Sequence, residues 1–293
     1  MPKVAAHLIV GPNDEPFLGA LLGSLVGAAD MLVVNDNGPN PSPHDATLRK
    51  SWFGHNDRLI VDRTPFTDFS TARNVCLARH VQADAGDWVA FVDADEVHGE
   101  TVRRIARRLA LVPDSIDFVD GYTWHFFQSF DLYTSIERRM SFFRFSSNVR
   151  WTGTVHEHLS GLNGGRIALP YVYGHYGHVL PARRHAEKGR LYSSLGQSGE
   201  IVAREALDSL DLAAYFAAIW PTLLRYAGEH PPEARPVIER LRKLYAVDQA
   251  RARAIAAQSQ PFPQRLRNAL MKANYEQRWR TRALNPLARH LTR

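Results

Sequence analysis

The first apolar run, Val4 to Val10, is short and stops at Gly11-Pro12-Asn13-Asp14-Glu15, which predicts a buried strand entering a turn. Beyond it Phe17, Leu18, Leu21, Leu22, Leu25 and Val26 recur at three- and four-residue spacing, the stripe of an amphipathic helix. Asn13 can cap that helix, with Asp14, Glu15 and Pro16 in its first turn, so the helix is expected to start near Asp14. Met31-Leu32-Val33-Val34 reads as a second strand that ends at Asn35-Asp36-Asn37-Gly38 and enters a Pro-rich loop through Pro43. Arg58-Leu59-Ile60-Val61 reads as a third. Asp68 or Ser70 can cap a helix reaching about Ala83. Asp87 to Asp93 supplies a fourth strand, apolar enough to be covered on both faces. Strand and helix alternate over residues 1–110, the pattern of a doubly wound sheet.

From Phe118 to Phe145 the pattern changes to aromatic, partly alternating segments such as Tyr122-Thr123-Trp124-His125-Phe126, which predict further strands. After Pro181 it becomes helical, with helices expected near 182–196, 200–227 (bent at Pro221), 234–257 and 263–283, and a linker at Gln258-Ser259-Gln260-Pro261. The expected organisation is a sheet domain over residues 1–180 and a helical region over 181–293.

A hydrophobic content of 45% with 23% charged residues is that of a globular chain, and 293 residues suffice for one large domain with an appendage. Cys76, the single cysteine, cannot form an internal disulfide, which favours a reducing compartment; the cytoplasm is the expected location, with peripheral membrane contact as an addition. The N-terminal run is too short for a signal peptide, and no stretch reaches the roughly 20 apolar residues of a membrane span. The net charge of +6 is concentrated at the C-terminus: residues 261–293 hold eight Lys/Arg and one Glu, +7, leaving −1 for the remainder. An anionic partner would therefore meet this basic tail rather than the body of the protein, although its helix from Gln264 to Arg282, with Leu266, Leu270, Ala273 and Trp279 among its arginines, is expected first to dock on the sheet domain and only second to lie on an anionic surface.

Asp93 and Asp95 fall at the C-terminal end of the fourth strand, where open α/β sheets place their ligands. Two carboxylates released from a strand into a turn can both approach a hard cation such as Mg²⁺ or Mn²⁺, which would neutralise a phosphorylated ligand. The plainer reading makes Asp93 a helix cap and leaves Asp95 and Glu96 facing water. Asp68-Phe69-Ser70-Thr71-Ala72-Arg73-Asn74 sets Arg73 in the first turns of a helix, where anions are favoured; a capped surface helix is the alternative. Asp36 ends a strand and can accept hydrogen bonds from a ribose or base, or simply form a turn. Cys76 lies on an apolar helical pattern and reads as a buried structural thiol.

Taken together, Ile9-Val10 with Asn13-Asp14-Glu15, the strand ending in Asp36, Asp68 to Asn74, and Trp88-Val89 to Glu96 resemble, in order and spacing, the family-2 glycosyltransferases of the GT-A fold. The resemblance covers roughly residues 4–190. The DFSxARN and DWxxxxDADE forms look like the branch with SunS-type peptide glycosyltransferases and lipopolysaccharide-core glycosyltransferases. Arg138 to Arg144 followed by Trp151-Thr152-Gly153-Thr154-Val155-His156-Glu157-His158 resembles that branch's W-x-G-x-V-H-E element.

The resemblance implies an α/β, Rossmann-like GT-A fold with a mixed, mainly parallel sheet and a C-terminal helical extension. It implies a metal-dependent inverting glycosyltransferase, hexosyltransferase-like, that uses a UDP- or GDP-sugar. Val10, Asn13, Glu15, Asp36, Arg73, Asp93, Ala94 and Asp95 would hold the donor, Asp95 and His175 a Mn²⁺ or Mg²⁺ ion, and Glu157 would be the general base. The alternative for Glu157 is to orient an acceptor or pair with an arginine such as Arg150, and His178, which departs from an aromatic position, competes with His175 as metal ligand. Gly11-Pro12-Asn13-Asp14-Glu15 also departs from the tyrosine-asparagine-glutamate entrance of the family. The expected acceptor is a peptide, a lipid-linked saccharide, a polysaccharide or a nucleic acid. A haloacid-dehalogenase-type phosphatase would need a later acidic pair that does not follow, and a sugar-phosphate nucleotidyltransferase a Gly-rich basic loop missing from residues 9–17. The non-enzyme alternative is an inactive nucleotide-sugar-binding relative, or one that associates with membrane or nucleic acid.

Overall fold

The run Val4–Val10, interrupted only by His7, forms β1 in the middle of a parallel group, as its apolar pattern requires. β2 (Met31–Asp36) and β4 (Trp88–Phe91) flank it, and β3 (Leu59–Asp62) lies beyond β2, all parallel. The computed structural model describes residues 2–179, 182–196, 223–226 and 228–244, with residues 250, 253, 254 and 257. Alternate residues of β1 serve two layers. Val4, Ala6, Leu8 and Val10 pack with α1 (Leu18–Leu25) and with Val102 and Ile105 of α5 (Glu100–Arg108). On the other face Ala5 and Ile9 meet Val33 and Cys76, the latter on α4 (Phe69–Ala83). Each large aliphatic side chain buried this way contributes roughly 1.5–3 kcal/mol.

The sheet then turns antiparallel. β4 pairs with β7 (Leu132–Arg144), β7 with β6 (Ile116–Phe127), β6 runs parallel to β10 (Gly165–His178), and β10 ends on β5 (Glu96–His98). The order is β3-β2-β1-β4-β7-β6-β10-β5, with β11 (Leu224–Arg225) paired to β7. A separate ribbon joins β8 (Arg150–Thr152) to β9 (His158–Ser160). α6 (Ala182–Ser194) follows the sheet, and α7 (Arg235–Leu244) buries Ile238 and Leu241 with Phe126, Phe130 and Leu224. The α/β class, the parallel Rossmann-like half and the mixed sheet are those expected from the sequence. No helix among the described residues is long and apolar enough to cross a membrane.

Several elements differ from expectation. α1 starts at Leu18, and Asn13 does not cap it, because Pro16 disfavours helical geometry at Glu15; a turn from Leu18 N to Glu15 O (3.0 Å) precedes the helix instead. The Pro-rich loop contains two short helices, α2 (Asp45–Lys50) and α3 (Trp52–His55), the second capped by the Ser51 side chain. β4 stops at Phe91, and Glu96 is buried at the start of β5 rather than facing water. Within the helix expected over 200–227, Leu224–Arg225 is a strand, held by pairing to Leu132 and Tyr133. The remainder of that helix, the helix at 263–283 and the basic tail lie outside the described residues.

Cys76 is buried, and burial pushes its thiol up to about 12, as befits a structural cysteine. Among the buried histidines are His7, His80 and His98. His80 Nε2 lies 2.8 Å from Gly86 O, so that nitrogen carries the proton, and His80 Nδ1 accepts from His7 Nε2 at 3.0 Å. Burial holds His7 and His80 below the usual imidazole range and His98 down to about 3. These rings are neutral when folded, whereas the unfolded chain protonates them below about pH 6.5. Stability is thus fully present above that pH and falls as pH drops from it toward the folded values. His98→Phe, which preserves the tilted ring contact with Tyr173 (4.5 Å), should remove up to about 1.4 kcal/mol per pH unit of that slope near pH 5.5, measured by urea unfolding. An unchanged slope would show that His98 is not buried neutral.

Candidate active site

A cavity of about 970 Å³ opens at the C-terminal ends of β1 and β4, a size suited to a small-molecule ligand. Val10, Asn13, Glu15, Arg73, Asp93, Ala94, Asp95 and Glu157, all singled out from the sequence, line it. Asp36 does not. It is fully buried at the end of β2, accepting from Gly38 N at 3.0 Å and facing Arg63 Nη1 at 3.4 Å, while the neighbouring Asn37 reaches the cavity instead.

The α4 segment shows why its residues occur together. The Asp68 side chain caps the helix by accepting from Thr71 N at 2.8 Å, which fixes the direction of the first turns. Within the first turn Ser70 Oγ donates to Gly153 O, and a turn further Asn74 makes a two-way bond with the Trp151 backbone, 2.9 Å in each direction. The loop from Trp151 to Glu157 is therefore pinned to α4, and Gly153 supplies the positive φ (97°) that it needs. Arg73 completes the clamp. Its Nη2 donates to Asp93 Oδ1 at 2.8 Å, its Nε donates to Glu157 Oε1, and its guanidinium lies 4.1 Å over the Phe91 ring. With only 6% exposure, Arg73 is a buried bridge between two carboxylates more than an open anion site. Arg150, the other partner considered for Glu157, bonds the carbonyls of Ser147 and Val149.

A second arginine, Arg139 on β7, closes the network by donating to Asp93 Oδ2 at 3.0 Å and Glu96 Oε1 at 2.8 Å. Its neighbour Arg138 points to the opposite face and holds Asp120 at 2.6 Å. Burial alone would raise Asp93, but Arg73 and Arg139 overcome it and hold the carboxyl far below the usual range. Burial, offset only in part by Arg139 and reinforced by Asp93 and Asp95, pushes Glu96 up to about 8. Asp93 is thus the ionised partner of both arginines and Glu96 the protonated one.

Asp95 stands apart from this network. Its Oδ1 is buried without a hydrogen-bond partner and lies 3.4 Å from His175 Nε2, while Oδ2 lies 3.7 Å from Lys188 Nζ. Burial first, then the charge of Asp95, pushes Glu15 up to about 7, and burial holds His175 well below the imidazole range and therefore neutral. An orphaned carboxylate oxygen beside a neutral imidazole, with a further carboxyl close enough to feel its charge, is a donor set that fits Mn²⁺ or Mg²⁺. Lys188, on α6, supplies the positive charge at Asp95 in this arrangement, and Asp95 raises its pKa against the effect of burial. His175 itself sits behind Asp95 and is not among the lining residues.

Sequence reasoning did not single out Arg139, Lys188 or Arg184 as site residues. Arg138-Arg139 was visible as a pair, but only the register, Arg139 opposite Gly121, shows which of the two faces the carboxylates. Lys188 and Arg184 belong to a helix whose docking over the cavity, with Arg184 donating to Asp14 O at 2.9 Å, left no motif.

Family models and curated proteins give no match to the chain. Among solved structures it is similar to the mannosyltransferase PcManGT from Pyrobaculum calidifontis in complex with GDP-Man and Mn²⁺. There the identity is 16% and the TM-score 0.43, covering 99% of this chain and 85% of the other. GalNAc-T7 with UDP, GalNAc and Mn²⁺ aligns at 13% identity and a TM-score of 0.32, over 42% of this chain and 24% of its own. A mycobacterial protein aligns at 21% identity and 0.29, over 42% and 41%. The functional reading rests on the residues of the site.

Two substitutions test this geometry. A Cβ at Gly177 would collide with Asp95 Oδ2, so Gly177→Ala should displace that carboxylate and weaken Mn²⁺ binding at least about tenfold, or about 1.4 kcal/mol, by calorimetry. Arg73→Met leaves Asp93 and Glu157 without their shared cation and should cost about 3 kcal/mol of stability in urea. The loss should shrink as acid protonates the carboxylate that Arg73 helps to hold ionised against burial. Full stability of Arg73→Met at neutral pH would show that the bridge does not form.

Proposed function

We propose that the chain is a metal-dependent inverting glycosyltransferase that moves a sugar from a UDP- or GDP-sugar to an acceptor. The observation that carries this reading is the convergence of Asp93, Asp95 and Glu157 on one wall of a ligand-sized cavity at the C-terminal ends of parallel strands. The motif resemblance adds the family: Asp68 to Asn74, Asp93 to Glu96 and Trp151 to His158 recur in its order, and here they form one bonded unit. Residues 1–180 would be the catalytic domain and 181–293 the helical region, with its basic tail available to an anionic surface.

In this reading the nucleotide lies along Val10 to Glu15 and Asn37, with Asp93 toward the ribose and the diphosphate toward Asp95. A Mn²⁺ or Mg²⁺ ion held by Asp95 and His175 would neutralise charge developing on the diphosphate as it leaves. Lys188 and Arg184 line the same wall and would face the leaving group as it gains that charge. Glu157 accepts the proton of the acceptor's nucleophile, whose electron pair forms the new bond to the anomeric carbon while the bond to the diphosphate oxygen breaks. Arg73 holds one Glu157 oxygen and leaves the other to take the proton, so its role is positioning. The acceptor, a peptide, lipid-linked saccharide or polysaccharide, would enter from the Trp151 to Leu159 side.

Nucleotide binding should require divalent cation and vanish with EDTA. Asp95→Asn should abolish both Mn²⁺-dependent nucleotide binding and transfer. Glu157→Gln should keep donor affinity within about twofold and lower kcat by about 10²–10⁴. Donor binding by calorimetry and slow donor hydrolysis check both. Turnover by Glu157→Gln at the wild-type rate would remove it as the base, and failure of every UDP- and GDP-sugar to bind would remove the reading.

A further inference from the structure

Behind Asp95, three histidines meet on one face of the sheet. His125 on β6 and His175 on β10 are paired in register, and a bulge between His175 and His178 sets His178 opposite Phe127. Residues paired across strands share a face, so the bulge brings His178 onto the side occupied by His125 and His175, where regular alternation would have turned it away. One nitrogen from each ring can be chosen so that all three lie within 4.8 Å of one another. Tetrahedral coordination at ordinary Zn–N lengths needs about 3.3 Å, which is within reach of small ring rotations.

Two further observations point to a ligand. His175 Nδ1 is buried without a hydrogen-bond partner, an arrangement that burial does not tolerate cheaply. Glu137 Oε2 also lies 3.3 Å from His125 Nε2, on the strand adjoining β6, where a carboxylate can orient a liganded imidazole.

We propose that His125, His175 and His178 bind one borderline transition-metal ion of the Zn²⁺ class through imidazole nitrogens alone, at a site distinct from the carboxylate site at Asp95. An all-imidazole set selects such an ion over Mg²⁺, which prefers oxygen, and three histidines leave a fourth position for water or an exogenous ligand. The two sites share the His175 ring. Its Nε2 faces Asp95 at 3.4 Å, and its Nδ1 is the nitrogen left for the histidines. A neutral imidazole has one lone pair, so the ring ligates one ion at a time. When the histidine site is filled, Nε2 carries the proton and donates it to Asp95 Oδ1, making Asp95 the orienting carboxylate of a zinc-bound histidine.

The test uses the full-length protein stripped of metal and titrated with Co²⁺ as a spectroscopic substitute for Zn²⁺. The expected result is one equivalent of Co²⁺ with the intense visible bands of four-coordination, bleached by stoichiometric Zn²⁺. His125→Phe and His178→Ala should each abolish the bands and weaken Zn²⁺ binding at least about hundredfold, Glu137→Gln should weaken it about tenfold, and Asp95→Asn should leave the bands in place. X-ray absorption of the Zn²⁺-loaded wild type should count three imidazoles and needs no variant to fold. Fewer than three imidazoles, weak six-coordinate Co²⁺ bands, or bands lost in Asp95→Asn but kept in His125→Phe would overturn the proposal. None of these readouts involves sugar transfer, so they stand or fall separately from the glycosyltransferase reading.

Discussion

One buried guanidinium organises this molecule's active surface. Arg73 joins Asp93, at the exit of β4, to Glu157, in a loop 84 residues distant from Arg73 in sequence, and rests on Phe91 as it does so. Removing a cation and two carboxylates from water costs several kcal/mol for each ion, and that cost is offset only if all three charges stay in contact. The clamp therefore fixes Glu157 relative to Asp93 more firmly than backbone packing could, since the segment between β8 and β9 has little regular structure. Asp68, Ser70 and Asn74 serve the same end, because each bond they make holds either the helix carrying Arg73 or the loop carrying Glu157.

The network also divides labour between the two aspartates of the D-x-D segment. Both oxygens of Asp93 are engaged, one by Arg73 and one by Arg139, so its further bonding is limited to lone pairs left beside two cations. Asp95 has a partnerless oxygen and an imidazole close by. Chemistry that needs an available carboxylate falls to Asp95, and chemistry that needs a fixed one to Asp93. Glu96, one residue further, is pushed up to about 8 by burial first, with Asp93 and Asp95 adding to the rise and Arg139 offsetting it in part.

Much of this was legible in the sequence where local rules suffice. The apolar run into Asp93 announced a covered strand, Asp68 and Ser70 announced a cap, which Asp68 makes, and Cys76 on an apolar stripe announced a buried thiol. The less legible features depend on pairing between distant strands. Alternation cannot say whether Arg138 or Arg139 faces the carboxylates, because that is set by the register of β7 against β6. Nor can it place His178 beside His175, since a bulge adds one residue and reverses the face. Asp36 lies off the cavity, in the turn that was its plainer reading, for a different reason. Its position at a strand end is that of a ligand residue, but Arg63, from beyond β3, reaches it and leaves Asn37 to face the cavity. Leu224–Arg225 carries no strand signal and becomes one only because β7 offers an unpaired edge.

The charges around Asp95 show how such a site stays folded before a ligand arrives. Asp93 and Glu157 are met by Arg73 and Arg139, Asp95 is met by Lys188, and Glu15 and Glu96 relieve the remaining repulsion by holding protons near neutral pH. The cluster is close to neutral, as a partly buried group of ionisable side chains must be. A phosphorylated ligand adds negative charge to this balance and a divalent cation adds positive charge, so binding either alone is opposed and binding both together is not. In the proposed reading a cation at Asp95 would repel the Lys188 ammonium, and a diphosphate in the cavity would attract it. Because Lys188 lies on α6, that exchange would couple the position of the helix to the presence of ligand, through a single side chain whose partner in the absence of ligand is the carboxylate that the cation would take.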